Sequence, residues 1–412
     1  MRQSYTNEFL RAIPKTDLHV HLDGSLRVPT LIELAREQGV KLPSYSVAGL
    51  NERVFKRRYT NLVEYLQGFR YTTAVMQTAE ALERIAYEFA WDNFNEGVRY
   101  FEVRFAPQLH INERLRIEDV MLSVNRGLQR AVKEYNRRPE VVNDSEPPVA
   151  CGIIACAMRA IFKGMSAYYD QFLEVHRFTR NKRVIGLASL ELVQAMVHVR
   201  DELGVPVVGL DIAGPERGYP PDDHQEAIAI AHRHFFMKTV HAGEAYGPES
   251  IFQAITLLHA DRIGHGYYLF SANMVKDLPP RRAALYIRNL VQYIADRRIT
   301  IEVCLTSNMQ TNPTLRDLRK HSFSKMMQER LSTTLCTDNH TVSKTNITQE
   351  LRLACQTFDL SPRELRDIIV YGFKRSFFPG TYRQKRSYVR RIIDYYDSVV
   401  ARYNHGTRPA KP

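Results

Sequence analysis

Two histidines stand two residues apart, His19 and His21, in the segment K-T-D-L-H-V-H-L-D-G-S-L at positions 15–26. The apolar Leu18, Val20 and Leu22 around them predict a short buried strand, along which side chains alternate between faces. Residues i and i+2 then emerge side by side, about 7 Å apart. Two neutral imidazoles converging on one point suit a divalent transition metal, usually zinc. An isolated H-x-H is more often a pair of satisfied core or surface histidines, so partners must come from elsewhere in the chain.

Other strand-like runs end on polar residues. K-T-V-H-A-G-E brings His241 and Glu244, and R-I-G-H-G-Y brings His265 between two glycines. T-L-C-T-D-N-H brings Asp338 and Asn339, and L-D-I-A-G-P-E brings Asp211, Gly214 and Glu216. Singly, each has a plain explanation: a core histidine, a carboxylate capping the next helix, an aspartate at an N-cap. Jointly placed at strand ends they form a different pattern. Three histidines and one carboxylate make a nitrogen-and-oxygen ligand set for zinc, with water as a further ligand. His265 and Glu244 remain as unligated acid–base groups. Zinc lowers the pKa of bound water towards 7, a histidine can take or steer a proton, and a carboxylic acid can protonate the leaving side of a C–N unit. The set supports hydrolysis without naming a substrate.

Such residues need a scaffold that points many strand ends at one place. Eight strand-like runs are expected at 16–22, 100–106, 150–158, 205–213, 237–244, 262–269, 300–307 and 332–338. Most are short and apolar on both faces, as strands of a covered parallel sheet are. Helical periodicity fills the intervals, for example 79–96 and 117–135. Eight β-then-α units favour a (β/α)₈ barrel over two doubly wound domains, and a barrel takes its reacting groups from the C-terminal strand ends. The 412 residues exceed the roughly 250 of a barrel core. Residues 1–412 therefore read as one catalytic barrel with insertions at 41–71 and around 271–282 and a basic extension at 382–412. The 41–71 insertion follows the first strand and is a candidate lid. Its Leu62, Tyr65, Leu66 and Phe69 share one helical face, which ordinary packing explains as well as substrate cover does.

Bulk properties bound the rest. Apolar content of 44% and charged content of 25% are those of a globular enzyme. No run reaches the roughly 20 apolar residues a membrane span needs, and 1–15 lacks a secretory h-region. Five cysteines without C-x-x-C fit reduced, buried thiols in a cytoplasm. The net charge of +12 is spread over clusters at 53–58, 180–183, 281–282 and 383–391; these read as solvated helix faces rather than a nucleic-acid module.

Together these motifs resemble the adenosine deaminase family of metal-dependent purine deaminases. The resemblance rests on H-V-H-L-D-G-S (19–25), L-D-I-A-G-P-E (210–216), T-V-H-A-G-E (239–244), R-I-G-H-G-Y (262–267), T-S-N (306–308) and T-D-N (337–339), in the family's order over roughly residues 10–375. It implies one zinc per chain held by His19, His21, His241 and Asp338. Glu244 would protonate purine N1, and His265 would orient or deprotonate the attacking water. Collapse of the tetrahedral adduct would expel ammonia and leave a 6-oxopurine. The resemblance also implies a contact from the Gly214 backbone to purine N3, one from Asp23 to a ribose hydroxyl, and a hydrophobic gate over Tyr65, Leu66 and Phe69. The implied partner is a small purine nucleoside; the bulk properties above add the expectation of no specific nucleic acid and no membrane.

One position departs from the family pattern. A second aspartate facing purine N7 often follows the metal aspartate, and here it is Asn339. An amide offers a donor as well as an acceptor, so substrate preference rests on this residue. Adenosine is the expected substrate; adenine or another 6-aminopurine nucleoside is the alternative. The H-x-E and P-C-x-x-C signature of the other zinc deaminases is missing. Two rivals are a binuclear hydrolase bridged by a modified lysine, for which Lys238 is nearest in sequence, and a nucleoside-binding protein without activity.

Overall fold

The computed structural model describes residues 5–405. The expected apolar runs become eight strands: β1 (Lys15–His21), β2 (Val98–Phe105), β3 (Ala150–Met158), β4 (Val207–Ala213), β5 (Met237–Ala242), β6 (Arg262–His265), β7 (Thr300–Val303) and β8 (Thr333–Leu335). Neighbours in sequence are neighbours in the sheet, all parallel. The ring closes just past β8: the Asp338 amide donates to the His19 carbonyl at 2.8 Å, and the His21 amide donates to the Asp338 carbonyl at 2.7 Å. This is the (β/α)₈ barrel that the alternation of runs predicts.

The strands that carry chemistry stop earlier than their apolar runs. β5 ends two residues before Glu244. β6 ends at His265, where Gly266 turns into the 3₁₀ segment Tyr267–Phe270. β7 gives way to the helix Leu305–Thr311, which carries the T-S-N motif. The cause is backbone geometry: Gly243, His265, Gly266 and Asp338 all have positive φ, at 70°, 65°, 58° and 63°. Two of these are not glycine. Left-handed conformations at such residues cost free energy and persist where the surroundings over-determine them, and here they aim side chains across the barrel mouth.

The helix Ala79–Asn95 turns Leu82, Ala86 and Phe89 to the core, with Thr78 capping its first turn. The insertion at 41–71 folds as three short helices, Val47–Arg53, Leu62–Leu66 and Phe69–Ala74. The single apolar face expected there is thus divided: Leu62 and Tyr65 lie on one short helix and Phe69 on the next. Around 271–282 the chain makes the 3₁₀ turn Ala272–Met274 and enters the helix Pro280–Arg297. The basic stretch from 382 is the helix Tyr382–His405, sealed to the core by Val389, Ile392, Tyr396 and Val399; residues 406–412 of that stretch lie outside the described residues. Among the described residues no helix is long and apolar enough to cross a membrane. All five cysteines are buried.

Candidate metal and proton-transfer site

Four strand ends bring histidines and a carboxylate together. His19, His241, His265 and Asp338 each offer a ligand atom within 4.8 Å of the others. His21 joins them: its Nε2 lies 3.2 Å from His241 Nε2 and 3.6 Å from Asp338 Oδ1. All five residues are buried. Room for the His19 ring depends on Gly264, where a Cβ would stand 2.8 Å from His19 Cε1.

Hydrogen bonds behind the rings decide which nitrogens are free. His19 donates through Nδ1 to Glu302 Oε2 at 2.7 Å, and His241 through Nδ1 to Asp211 Oδ1 at 3.1 Å. A carboxylate behind Nδ1 leaves Nε2 as a lone pair, the arrangement that orients metal-ligating histidines. His19 Nε2 is buried with no hydrogen-bond partner. The His241 lone pair faces His21 Nε2 at 3.2 Å, and a cation between them satisfies both. Three imidazoles and one carboxylate fit zinc.

His265 differs. Its Nδ1 faces the Asn308 amide at 3.1 Å, Asn308 Oδ1 faces His321 Nε2 at 3.1 Å, and His321 Nδ1 accepts from the Phe323 backbone N–H at 3.0 Å. A backbone N–H can only donate. His321 Nδ1 is therefore an acceptor, and burial pushes this histidine down to about 3, so it is neutral with its proton on Nε2. That proton goes to Asn308 Oδ1, leaving the Asn308 amide to donate to His265 Nδ1. Burial pushes His265 well below the usual histidine range. Neutral His265 then carries its proton on Nε2, 3.8 Å from Glu244 Oε2. A protonated Nε2 cannot ligate a metal; it donates.

Glu244 sits on the turn after β5, and Glu216 holds that turn. The Glu216 carboxylate accepts from the backbone N–H groups of Gly243 (2.7 Å), Glu244 (3.0 Å), Ala245 (2.6 Å) and Tyr246 (2.9 Å), and from the Ser250 hydroxyl (2.5 Å). Burial, followed by the charges of Asp338 and Glu216, pushes the Glu244 carboxyl well above the usual carboxylate range. It is therefore protonated where most carboxyls are ionised. Glu216→Gln places an NH₂ against a row of N–H donors. Its expected cost is about 1–3 kcal/mol of stability and at least about tenfold in turnover, read by urea unfolding and ammonia release.

Sequence reasoning missed the charged network beneath the histidines. Arg104 of β2 donates to Asp211 Oδ2 and Glu302 Oε2, both at 2.9 Å, and Arg262 of β6 donates to Glu302 Oε1 at 2.6 Å. Burial works against the Glu302 carboxylate, but Arg104 and Arg262 outweigh it and hold it well below the usual carboxylate range. The signal was present as a charged residue inside each apolar strand run, Y-F-E-V-R-F and T-I-E-V. Its partners were not.

The remaining expected residues lie at the mouth to differing degrees. Tyr65, brought by the insertion, stands 3.3 Å from Asp338 Oδ2, 2.6 Å from Ser343 Oγ and accepts from the Asn339 amide at 2.6 Å. The Phe69 ring lies 6.3 Å from that of His21. Leu66 is half-buried and packs on the main core cluster. Asn339 Oδ1 and Asp23 Oδ1 are buried without partners, and burial pushes Asp23 up to about 7. A Cβ at Gly24 would collide with Asn339 Oδ1. Gly214 closes β4 at φ 103°, and only glycine adopts that backbone readily. Lys238 does not reach the cluster: its Nζ bonds the Phe236 carbonyl at 3.0 Å and lies 3.2 Å from Asp261, near the start of β5.

The chain is similar to known proteins over nearly its whole length. A family described as adenosine deaminase matches residues 14–201 and 181–395. An adenosine deaminase of Mycobacterium avium is 32% identical over 374 residues, covering 90% of this chain and 92% of its own. Among solved structures, a zinc-bound amidohydrolase from Burkholderia ambifaria superposes with a TM-score of 0.74 at 20% identity, over 97% of this chain and 96% of its own. An N6-mAMP deaminase from Arabidopsis gives 0.71 at 24% identity, over 94% and 99%. With the match spanning nearly the whole barrel, the chain belongs to the adenosine deaminase family of hydrolytic enzymes.

Proposed function

We propose that the protein hydrolyses adenosine or 2′-deoxyadenosine to inosine or deoxyinosine and ammonia, with one zinc ion held by His19, His21, His241 and Asp338. The observation that carries this reading is the division of proton states at the mouth. His19 and His241 present Nε2 lone pairs backed by carboxylates, whereas Glu244 and His265 both present protons. When bound, the metal supplies a water made acidic enough to attack at neutral pH.

The chain's own residues do the rest. Glu244 gives its proton to purine N1, which draws electron density from C6 and prepares it for attack. His265 donates from Nε2 and so orients the attacking oxygen; of its two implied roles, the Asn308 relay favours this one. The amino group takes the proton that the attacking water gives up and leaves C6 as ammonia, and the remaining hydroxyl proton returns to the Glu244 carboxylate as the 6-oxo group forms. The backbone at Gly214 meets N3, Asp23 meets a ribose hydroxyl, and the second N–H of the Asn339 amide, the first being given to Tyr65, donates to N7. Tyr65, Leu66 and Phe69 close the mouth as part of a lid over 41–71. Because Glu244 acts in its protonated form, kcat falls as pH rises through its raised pKa and is retained below it. Buried cysteines fit a cytoplasmic location.

A second reading, adenine or another 6-aminopurine nucleoside as substrate, is favoured by Asn339, whose neutral amide stands where an ionised aspartate would only accept. Ammonia release by zinc-loaded protein on adenosine, 2′-deoxyadenosine, adenine and other 6-aminopurine nucleosides separates the two. Adenosine or deoxyadenosine is expected to give the highest kcat/KM. Turnover of none of them overturns both readings.

A further inference from the structure

At the start of β2, away from the catalytic mouth, a cavity of about 320 Å³ opens between the first helix (Asn7–Ala12), the end of the helix Ile117–Asn136 and the C-terminal helix. Its charge is one-sided. Four guanidinium groups line it, those of Arg11, Arg99, Arg138 and Arg402, against one lining carboxylate, Glu146. Arg99 is the centre. It is 4% exposed, and one amino group donates to Glu146 Oε2 at 2.9 Å. Its Nε and Nη1 are buried without a hydrogen-bond partner.

A buried guanidinium with two idle donors is costly, because those N–H groups have lost water and gained nothing. The other arginines add charge without neutralising it. Arg11 meets a largely buried Glu96 at 3.3 Å and Arg138 meets Glu140 at 3.5 Å; both arginines keep solvent contact, and such pairs contribute little to stability. Among the described residues no carboxylate lies within 4.0 Å of Arg402. Tyrosines floor the cavity: the Arg99 guanidinium lies 5.5 Å from the centre of the Tyr135 ring and 5.7 Å from that of Tyr395. With Glu96 and Glu140 counted beside Glu146, the four arginines keep a net excess of one positive charge; with idle forked donors and aromatic walls this describes a receptor for a planar or tetrahedral anion.

We infer that this cavity is an accessory anion site that takes a phosphate group, with the idle Arg99 donors and the Arg138 and Arg402 guanidinium groups as its ligands. The phosphate is either free or the end of a small organic phosphate whose ring lies on the tyrosines. Calorimetric titration of the full-length protein at low salt with inorganic phosphate and with phenyl phosphate tests this. The wild type is expected to bind one equivalent saturably. The double variant Arg138→Ala/Arg402→Ala changes one partly exposed and one exposed side chain outside the core, so it keeps the fold, and is expected to bind about tenfold more weakly, as loss of a charge-assisted contact implies. Arg281→Ala/Arg282→Ala, equally basic but elsewhere, is expected to bind as the wild type does. Tighter binding of phenyl phosphate supports an aryl or nucleoside phosphate, and equal binding supports the free anion. The inference is overturned if the wild type shows no saturable binding. It is equally overturned if the 138/402 variant binds like the wild type, or if the 281/282 variant weakens as much.

Discussion

Replacing Glu244 by glutamine is expected to leave zinc at one ion per chain and to lower kcat by roughly 10²–10⁴-fold, the usual contribution of a positioned general acid. Glutamine keeps the shape of the side chain and the turn beneath it, since Glu216 bonds backbone N–H groups and not the Glu244 carboxyl. What it removes is a proton that can be given away. Glu244 is suited to giving one because burial and the neighbouring Asp338 and Glu216 charges raise its pKa well above the usual range. An amide can still donate a hydrogen bond to purine N1, so KM is expected to change far less than kcat. Metal analysis and ammonia release on the same preparation check both halves. Normal turnover with full metal would show that Glu244 is not the proton donor.

Asp338→Asn is expected to weaken zinc retention by more than the roughly 100-fold that losing a partner behind a ligand costs, and to abolish turnover with it. Asparagine is the informative replacement. Asp338 has φ 63°, a conformation that costs most residues about 1–2 kcal/mol but that asparagine tolerates. The backbone closure with His19 and His21 therefore survives, and the loss falls on the carboxylate. Asp338→Ala would mix that loss with backbone strain at the point where β8 meets β1. Zinc content after dialysis, together with a retained circular-dichroism spectrum, reads the effect; zinc retained at the wild-type level would remove Asp338 from the ligand set.

The two variants probe a site assembled in layers. At the mouth stand the groups that would meet metal and substrate. Below them, Glu302 and Asp211 set the histidine protons, and Arg104 and Arg262 keep Glu302 ionised although it is fully buried. A barrel interior is usually filled with branched apolar side chains. Here part of that filling is a paired charge network, which ties the rings of His19 and His241 to one orientation.

Local chemistry made much of this legible in the residue order. Alternation along β1 puts His19 and His21 on one face, and eight apolar runs with helical intervals specify the barrel. Polar residues that interrupt those runs at their ends, His241, Glu244, His265 and Asp338, are conspicuous because apolar strands have no structural use for them. Proton placement was not legible in the same way. Whether His265 ligates or donates depends on a backbone N–H at Phe323, reached through His321 and Asn308, and no local pattern encodes a bond's direction across that distance. The same holds for Glu216 beneath the Glu244 turn and for the meeting of Tyr65 with Asn339, 274 residues apart in the chain. Strand periodicity is a property of neighbours. Protonation states and hydrogen-bond partners are properties of what the closed barrel packs together.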